Sequence, residues 1–473
     1  MLTILLDPNS PKPLYAQIAE AVREEIRNGN LQPEEALPSR RALANHLQVS
    51  VTTVQTAYDQ LVSEGYLYSK PKVGYFVDPD VWRLLSSPTD LVSMEISEEK
   101  PEKPADWIDF STGGVDVSQF PFATWAKLSR QVLTEYGSSL LQDVPSMGVY
   151  ALRQSIANHL YAYRHIRVQP EQILFGAGTE YLLGLLVQLL GPSQRIAVED
   201  PGYPKAKRVI RAHGAAVLAI PMDDQGVRLD ALQQSGASVL YVTPSHQFPT
   251  GIVMSLSRRI ALIDWVRAQP GRYILEDDYD SDLVFHGNPL PSLYTLDGGQ
   301  HVIYLHTFTR TLAPTLRMSY MVLPPQLAKR WNKEFSFYTS TIPAQEQYTL
   351  LRFLEDGYLE QHMNRMRKQY TKRQKALLNA IHAHTYGTHI TVYGEEAGLH
   401  LVLEVDTSST EQELVDAATR AHISISGLST YFDAPPVQQK HKPCIVLGYA
   451  KCDEQEIQNG VQRLLDAFAN TEK

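Results

Sequence analysis

The sequence has little cysteine, no long apolar run and no excess of positive charge, and each absence excludes a class of protein. Two cysteines in 473 residues, Cys444 and Cys452, exclude a disulfide framework and suit a reducing cytosol. No His or Cys cluster accompanies them, so no metal site is expected. No segment reaches the roughly 20 apolar residues of a membrane span. Residues 1–13 lack the basic start and apolar core of a signal peptide, so we expect a cytoplasmic protein without a membrane partner.

The charge balance limits how the chain can meet nucleic acid. It has 43 Lys and Arg against 52 Asp and Glu, which gives a formal net charge of -9. A globally basic nucleic-acid binder is therefore excluded, and any contact with DNA must be local. The length predicts two or three domains, and 43% hydrophobic with 20% charged residues is typical of globular domains with sizeable cores.

The first eighty residues have the pattern of three short helices and a hairpin. Apolar residues recur at every fourth position across residues 14–26, which places them on one helical face. A second and a third helix are predicted to begin after the N-cap residues Ser39 and Ser50. Two β-rich segments follow at 66–69 and 75–77, joined by a turn. This pattern predicts a winged helix-turn-helix.

Polar side chains at the start of the third helix, with basic ones nearby, fit a DNA-binding surface. Their hydroxyl, amide and cationic groups can contact phosphates and base edges in a major groove. From the residues themselves the candidates are Arg40, Arg41, Ser50, Thr52, Thr53 and Gln55, with Lys70 and Lys72 on the hairpin. The alternative is a small protein-interaction module with solvated charges, because residues 1–80 hold seven Lys and Arg against ten Asp and Glu.

Four ordered blocks resemble the GntR-type winged helix almost end to end. They read PLYAQIAEAVREEIRNGNL, LPSRRALA, VSVTTVQTAYDQLVSEGYL and KVGYFV. The resemblance implies a double-stranded DNA operator as partner. The residues that it places at the DNA are Arg41, Thr52, Thr53 and the wing glycine Gly74. The chain departs from the family at Val51, where many members have arginine, and at Gln55, where some do, so the resemblance implies no particular operator sequence.

A charged, proline-bearing segment at 80–107 separates the first eighty residues from a part of the chain with a different hydrophobic pattern. That segment is predicted to link the winged helix, residues 1–79, to a larger domain at 108–473. In the larger domain apolar strands alternate with amphipathic helices, which predicts an α/β domain with a mainly parallel sheet and ligands at the carboxyl ends of the strands. The clearest strands are predicted at 195–198, 239–242, 273–276, 302–306 and 318–322.

Five turns at the predicted strand ends have the composition of ligand loops. They read GAGTEYLL, EDPGYPKAKR, TPSHQFPTG, EDDYDSD and HTFTRTLAPTLR. In the first, Gly178 and Thr179 open a helix whose free amide groups can hold a phosphate. In the last, the hydroxyls of Thr307 and Thr309 and the guanidinium of Arg317 also suit a phosphate.

The remaining turns offer groups for a planar ring. Tyr203 can stack on such a ring, Asp277 can pair with a protonated pyridine nitrogen, and Tyr279 can donate to a ring oxygen. For EDDYDSD the alternatives are a solvated acidic turn or a divalent-cation site. A metal is not expected, because no His or second carboxylate cluster accompanies the turn.

In this order the turns resemble those of the fold-type I aminotransferases, which bind pyridoxal 5'-phosphate. The likeness runs from about residue 108 to 468 and includes GVYALRQSIANHL and AGLHLVLE. A GntR-type head joined to such a body resembles the MocR/GabR-type transcriptional regulators. That resemblance implies a three-layer domain with a small α/β subdomain at about 360–473, and a head-to-tail homodimer. The implied cofactor contacts are Ala177, Gly178, Thr179, Tyr203, Asp277, Tyr279, Thr307, Thr309, Arg310 and Arg317.

One departure from the family changes the chemistry. The family pattern T-F-S-K ends in the lysine that forms a Schiff base with the cofactor, and this chain has Arg310 there. A guanidinium stays protonated and its nitrogen lone pairs are delocalised, so it does not make that bond. The resemblance therefore implies non-covalent cofactor binding and no catalytic residue. GabR-type members also bind an effector carboxylate with arginines, where this chain has Lys205 and Thr430, so 4-aminobutyrate is not implied as effector.

Three functions are compatible with these features. The first is a transcriptional regulator that senses pyridoxal phosphate, an amino acid or their adduct. The second is a working aminotransferase with an accessory DNA-binding domain; Arg310 argues against it, because the lysine is both anchor and general base. The third is a scaffold that binds no cofactor, and the presence of Tyr203, Asp277, Tyr279 and Arg317 argues against that. The sequence therefore predicts the first.

Overall fold

The chain folds into two compact units, Met1–Pro101 and Glu102–Lys473. This computed structural model describes residues 4–8, 10–81, 104–281, 290–395, 398–433 and 442–472. The predicted linker at 80–107 lies mostly outside the described residues. The predicted domain bounds therefore stay predictions, and each unit is described by itself.

Three helices and an antiparallel ribbon form the N-terminal unit. The Ser39 hydroxyl accepts from the Ala42 amide at 3.2 Å and the Ser50 hydroxyl from the Thr53 amide at 3.0 Å, so both predicted N-caps begin their helices. The elements are α1 Leu14–Arg27, α2 Arg40–Leu47, α3 Val51–Ser63, β1 Leu67–Lys70 and β2 Gly74–Val77. The apolar faces of the three helices and the inner residues of the ribbon enclose one core.

The first strand of the ribbon begins one residue later than its predicted start at residue 66. Gly65 takes a left-handed conformation (φ 78°) just beyond α3. The Tyr66 amide then donates back to the Leu61 carbonyl at 2.9 Å, and the Gly65 amide donates to Val62. These two bonds end the helix as a Schellman motif, so Tyr66 belongs to the helix end and not to the strand.

An eight-stranded sheet forms the centre of the larger unit. The strands of this unit, in chain order, are β3 Ile108–Asp109, β4 Ile173–Gly176, β5 Arg195–Asp200, β6 Ala216–Asp223, β7 Gly226–Val227, β8 Val239–Val242, β9 Tyr273–Asp278, β10 Val302–Thr307, β11 Ser319–Val322, β12 Ile390–Tyr393, β13 His400–Val405, β14 Ile423–Ser424, β15 Ser426–Gly427 and β16 Cys444–Gly448. The central order is β4-β11-β10-β9-β8-β5-β6-β7. Strands β6, β5, β8, β9 and β10 pair in parallel, whereas β11 is antiparallel to both of its neighbours.

Both faces of the sheet are covered at its centre, so the inner strands are apolar along most of their length, with polar or charged residues at the carboxyl ends of β9 and β10. On β10, Val302 and Tyr304 enter one buried cluster, whereas Ile303 and Leu305 enter another. Successive side chains of a strand point to opposite faces, so a strand between two helical layers needs apolar residues at every position. The two clusters are thus the two interlayer cores of a three-layer domain.

Helices cover both faces and connect the strands. They are α4 Phe122–Tyr136, α5 Tyr150–Arg164, α6 Thr179–Leu190, α7 Pro204–Ala212, α8 Leu229–Gln234, α9 Leu256–Arg267, α10 Leu293–Asp297, α11 Pro325–Glu334, α12 Ala344–Glu355, α13 Tyr358–Ala383, α14 Glu411–Arg420 and α15 Glu454–Ala469. Near the C-terminus a second, antiparallel sheet of order β12-β13-β16-β15 accompanies α13, α14 and α15.

The predicted fold class, a winged helix followed by a three-layer domain with a mainly parallel sheet and a small C-terminal α/β part, is confirmed. Within the described residues, no helix combines the length and the apolar character needed to cross a membrane.

A buried ion pair fixes the end of β9. Arg164, the last residue of α5, lies 2.8 Å from Asp278, and the Asp278 side chain is fully shielded from solvent. Tyr304 and Ser281 also donate to Asp278, at 2.5 and 2.7 Å. A carboxylate this deeply buried is stable only with such partners. Through it α5 is tied to the centre of the sheet.

We expect Arg164→Leu to destabilise the larger unit by about 3–5 kcal/mol, because it leaves the Asp278 charge buried without its cation. Thermal denaturation of the full chain measures the loss. The control is Arg330→Leu, which breaks an exposed i,i+4 pair with Glu334 and should cost less than about 1 kcal/mol. Equal effects of the two substitutions would contradict the assigned role of the buried pair.

Candidate functional site

A cavity of about 360 Å³ opens where the parallel strands β8, β9 and β10 end. Thr243 follows β8, Asp277 and Tyr279 mark the end of β9, and Thr307 and Thr309 mark the end of β10. The carboxyl ends of parallel strands lie at one edge of a sheet, so their turns converge there. The volume is typical of a pocket for a small organic ligand.

Eight of the ten predicted cofactor contacts line this cavity. They are Thr179, Tyr203, Asp277, Tyr279, Thr307, Thr309, Arg310 and Arg317. The other two, Ala177 and Gly178, lie in the turn that precedes Thr179, and the Ala177 carbonyl accepts a 3.5 Å hydrogen bond from Arg317. The fold thus gathers residues from four separate turns, and their role in binding stays a prediction.

Asp277 is buried in the cavity wall with one carboxylate oxygen satisfied and the other not. Tyr241 donates to Oδ2 at 2.5 Å, whereas Oδ1 has no hydrogen-bond partner in the part of the chain that the structure describes. Burial, partly offset by the Tyr241 hydrogen bond, raises the pKa of Asp277 to about 7. A cationic N–H donor in the cavity would satisfy Oδ1 and favour the charged carboxylate, as a protonated pyridine nitrogen does.

Two tyrosines contribute neutral phenols to the cavity. The Tyr279 hydroxyl donates to the His246 carbonyl at 3.0 Å and lies 3.1 Å from His246 Nδ1. Tyr203 packs edge-on against Phe248, with ring centres 5.7 Å apart. Burial raises the pKa of Tyr203 to about 12 and that of Tyr279 well above its ordinary value, so both keep their protons at neutral pH.

A short chain of hydroxyls orders the turn after β10. Ser319 donates to the Thr307 hydroxyl at 2.8 Å, and Thr307 donates to the Thr309 hydroxyl at 2.8 Å. The Thr309 amide also donates to Thr307, at 3.2 Å. Because the Thr309 oxygen accepts in this chain, its own proton is oriented away from Thr307 and can serve a ligand anion.

Arg317 is held at the cavity by an acidic neighbour. Its Nη2 lies 2.5 Å from Oε2 of Glu180, and Lys205 Nζ lies 3.7 Å from the other oxygen, Oε1. Burial acts to raise the pKa of Glu180, but the hydrogen bond and charge of Arg317 and the charge of Lys205 hold that pKa below its ordinary value. The corner of the cavity therefore contains two cations and one carboxylate.

Arg310 reaches from the turn after β10 to the segment that precedes α4. Its Nη1 donates to the Thr112 carbonyl at 2.7 Å and to the Gly114 carbonyl at 3.3 Å. The guanidinium carbon lies 5.9 Å from the ring centre of Tyr279. The side chain thus presents a fixed cation, and not a primary amine, to the cavity.

Lys205 and Thr430, which stand where related regulators are expected to use arginines, differ in their placement. Lys205 lines the cavity, and its side chain is 67% exposed. The Thr430 hydroxyl donates to the Gly427 carbonyl of its own loop at 2.8 Å, and its neighbour Tyr431 lines the cavity instead. Lys205 is therefore a third cation of the cavity, besides Arg310 and Arg317.

The carboxylates of the acidic turn EDDYDSD are separated by individual partners. Glu276 accepts from two backbone amides at the start of α10, at 3.0 and 2.9 Å, and Asp278 pairs with Arg164. Asp280 lies 2.8 Å from His246 Nδ1. The last residue of the turn lies outside the described residues. Among those described, no group of three or more His, Cys, Asp or Glu is placed to hold a metal ion.

Three contributors to the cavity escape the sequence-based prediction. Tyr241 satisfies Asp277, Glu180 pairs with Arg317, and residues 112–114 receive Arg310. Tyr241 has a weak signal in the sequence, because it is a tyrosine in an otherwise aliphatic strand, and Glu180 directly follows the predicted contact Thr179 in GAGTE. Residues 112–114 have no such signal, because they are distant in sequence from every ligand loop.

The N-terminal unit presents most of the predicted DNA contacts on its surface. Those exposed are Arg41, Ser50, Thr52, Gln55 and Lys72. Ser50 and Thr53 share a 2.7 Å hydrogen bond between their hydroxyls, so the start of α3 is already ordered. Arg40 lies over the Tyr75 ring at 6.0 Å, and Gly74 begins β2 with a φ of 151°. These placements agree with a recognition helix and a wing, and the contacts themselves stay predictions.

Two family models match the chain. Residues 105–464 match the model described as aminotransferase class I and II, and residues 14–77 match that of the gntR family of bacterial regulatory proteins. An uncharacterized HTH-type transcriptional regulator, YdeL of Bacillus subtilis (strain 168), is 38% identical over 471 residues, which are 99% of each chain. The probable rhizopine catabolism regulatory protein MocR of Rhizobium meliloti is 32% identical over 98% of this chain and 96% of its own.

A third relative is again a transcriptional regulator, and two solved structures of similar fold are aminotransferases. The HTH-type pyridoxine biosynthesis transcriptional regulator PdxR of Corynebacterium glutamicum is 30% identical over 99% of each chain. The kynurenine aminotransferase of Pyrococcus horikoshii shares the fold with a TM-score of 0.68 at 23% identity, over 78% of this chain and 92% of its own. LysN, the alpha-aminoadipate aminotransferase of Thermus thermophilus, has a TM-score of 0.66 at 25% identity, over 77% and 93%.

We expect Asp277→Asn to stabilise the ligand-free chain more at pH 8 than at pH 5. The pKa of Asp277 is about 7 in the folded chain against an ordinary 3.8, so the parent loses stability as the pH rises from about 4 to 7. Asparagine carries no charge, and its oxygen can still accept from Tyr241. The advantage of the variant should grow by on the order of 1–3 kcal/mol between the two pH values.

Thermal denaturation at pH 5 and pH 8 measures this difference. Asp416→Asn, at an exposed position of α14, is the control for loss of one carboxylate and should show no such trend. An advantage of Asp277→Asn that stays constant with pH would contradict the raised pKa.

Proposed function

Because the chain belongs to the family that joins a GntR-type helix-turn-helix to an aminotransferase class I and II domain, we propose that it is a DNA-binding transcriptional regulator. The N-terminal unit binds operator DNA, and the larger unit senses pyridoxal 5'-phosphate, an amino acid or an adduct of the two. Likeness along nearly the whole chain to HTH-type transcriptional regulators supports this function.

The observation that carries the proposal is Arg310 in a cavity that is otherwise equipped for the cofactor. An aminotransferase uses a lysine amine both to bind the cofactor covalently and to move a proton. Arg310 instead holds the carbonyls of Thr112 and Gly114 with its guanidinium. A site that keeps its binding groups and has an arginine at the position of the Schiff-base lysine suits a sensor better than a catalyst.

The residues of the cavity fit pyridoxal 5'-phosphate. The unsatisfied Oδ1 of Asp277 suits the ring nitrogen, and Tyr279 and Tyr203 suit the ring itself. Thr309 and Arg317, with the first amides of α6, suit the phosphate. When bound, the cofactor supplies an aldehyde that an amino acid amine can attack and a ring that withdraws electrons. The chain's own residues bind and orient it without a covalent bond.

An amino acid, alone or joined to the cofactor, is the effector class that the cavity favours. Arg310 and Lys205 both line the cavity and can pair with an effector carboxylate. LysN of Thermus thermophilus, which shares the fold, was solved as a complex with N-(5'-phosphopyridoxyl)-L-leucine. A preformed adduct of this kind needs no lysine from the protein.

We expect borohydride to fix no pyridoxal phosphate to the parent chain, because Arg310 offers no amine to the aldehyde. Arg310→Lys should restore the covalent bond and become labelled at residue 310 when reduced. Mass spectrometry of the digested protein identifies the labelled peptide, and equilibrium dialysis before reduction measures saturable binding to the parent. Arg310→Gln is the control that removes the charge without adding an amine.

Three results would contradict the proposal. A parent peptide labelled at another lysine would show that the chain has a different covalent anchor. Absence of saturable binding of pyridoxal phosphate, free or as an amino acid adduct, would exclude it as ligand. Transaminase turnover comparable to that of an ordinary aminotransferase would favour the enzyme with an accessory DNA-binding domain.

We further propose that a head-to-tail homodimer binds a paired operator through Arg40, Arg41, Ser50, Thr52, Thr53, Gln55, Lys72 and Gly74. Arg41→Ala should weaken binding to a duplex selected by the parent protein from random DNA. Because each of the two heads loses one phosphate contact, it should also lower the salt slope of the affinity by about 2. Fluorescence anisotropy at several salt concentrations measures the slope, and sedimentation measures the number of chains per duplex. Arg420→Ala, an exposed arginine in α14, is the control. An unchanged slope for Arg41→Ala, or a single chain per duplex, would contradict this assignment.

A further inference from the structure

A carboxylate occupies the corner of the cavity where the ligand phosphate is proposed to bind. Glu180 lies in the first turn of α6, and its Oε2 is 2.5 Å from Arg317 Nη2. Its Oε1 is 3.7 Å from Lys205 Nζ. Glu180 thus already pairs with Arg317 and Lys205, two of the cations that could bind a ligand anion.

The backbone around Gly178 makes room for this contact. Gly178 has a φ of 91°, and a Cβ at that position would lie 2.5 Å from Nη2 of Arg317. Only glycine therefore lets the guanidinium pass the turn and reach both Glu180 and the Ala177 carbonyl. The glycine thus fixes the path of the guanidinium in a corner that is open to solvent, where the Arg317 side chain is 45% exposed and that of Glu180 is 28% exposed.

A phosphate in this corner must compete with Glu180. The phosphate brings up to two negative charges to within a few ångströms of the carboxylate, and at this distance like charges repel strongly in a partly buried site. Arg317 must also divide its donors between the carboxylate and the phosphate. The first amides of α6 and the Thr309 hydroxyl add neutral donors, which do not remove the repulsion.

We propose that Glu180 sets the affinity of the cavity for phosphate esters by competing with the ligand phosphate for Arg317 and Lys205. This inference rests on the proposed function, since it assumes a phosphorylated pyridoxal ligand. Glu180 keeps the phosphate from being held tightly, so a cofactor that lacks a covalent bond exchanges with the free pool. A ligand without phosphate gains nothing from the loss of Glu180.

A purely structural role for Glu180 makes the opposite prediction. If the carboxylate only aims Arg317 at the phosphate, its removal disorders the guanidinium and weakens phosphate binding. The sign of the change in affinity therefore distinguishes competition from positioning.

The test compares Glu180→Gln with the parent, both as full chains, using pyridoxal 5'-phosphate and pyridoxal as separate ligands in isothermal titration calorimetry. We expect pyridoxal 5'-phosphate to bind about tenfold more tightly to the variant, because one like charge is removed. Pyridoxal should bind both proteins equally. The control is Glu454→Gln, which removes an exposed carboxylate from the first turn of another helix, α15.

Each outcome supports or overturns the inference about Glu180. Equal or weaker binding of pyridoxal 5'-phosphate to Glu180→Gln overturns the inference and leaves the proposed function standing. Equal strengthening for pyridoxal also overturns it, since the effect would not depend on phosphate. Failure of the parent and the variant to bind either ligand overturns both the inference and the proposed cofactor. Glu180→Ala provides the same comparison if circular dichroism shows that the glutamine variant is misfolded.

Discussion

Burial of several carboxylates at the end of β9 is the constraint on which the larger unit depends. A buried carboxylate is tolerated only where specific partners satisfy it. Glu276 is satisfied by backbone amides of α10, Asp278 by the last arginine of α5, and Asp280 by His246 in the turn after β8. These contacts tie one strand end to three other elements, so the position of Asp277 is fixed before any ligand binds.

Asp277 and Asp278 each have one buried carboxylate oxygen without a hydrogen-bond partner among the described residues, but of the two only Asp277 lines the cavity. Tyr241 bonds one oxygen of Asp277, and the other has no partner among the described residues. That deficit is a source of ligand affinity, since a cationic donor would both satisfy the oxygen and stabilise the charge. In the proposed function, a pyridine ring would bind by completing these hydrogen bonds, where a catalyst of the same fold adds a covalent bond to lysine.

Features that depend on neighbouring residues are predictable from the sequence, and features that depend on distant ones are not. The caps at Ser39 and Ser50 and the alternating strands follow from local rules, and the structure agrees with them. The predicted start of the first ribbon strand at Tyr66 is wrong by one residue, because the Tyr66 amide donates to a carbonyl of the last turn of α3. The hydrogen bond of Tyr241 with Asp277 joins two strands, and the residue spacing within either strand does not predict it.

A sensor must release its ligand when the concentration falls, and a ligand shifts a conformational equilibrium only through a difference in affinity between states. Arg310 and Arg317 are the side chains that can supply this difference. Each bonds oxygens of the chain itself, at Thr112 and at Glu180, and each can exchange that oxygen for one from a ligand anion. In the proposed sensor, Arg310 would therefore provide, in place of a lysine amine, a contact whose partner depends on whether the ligand is bound.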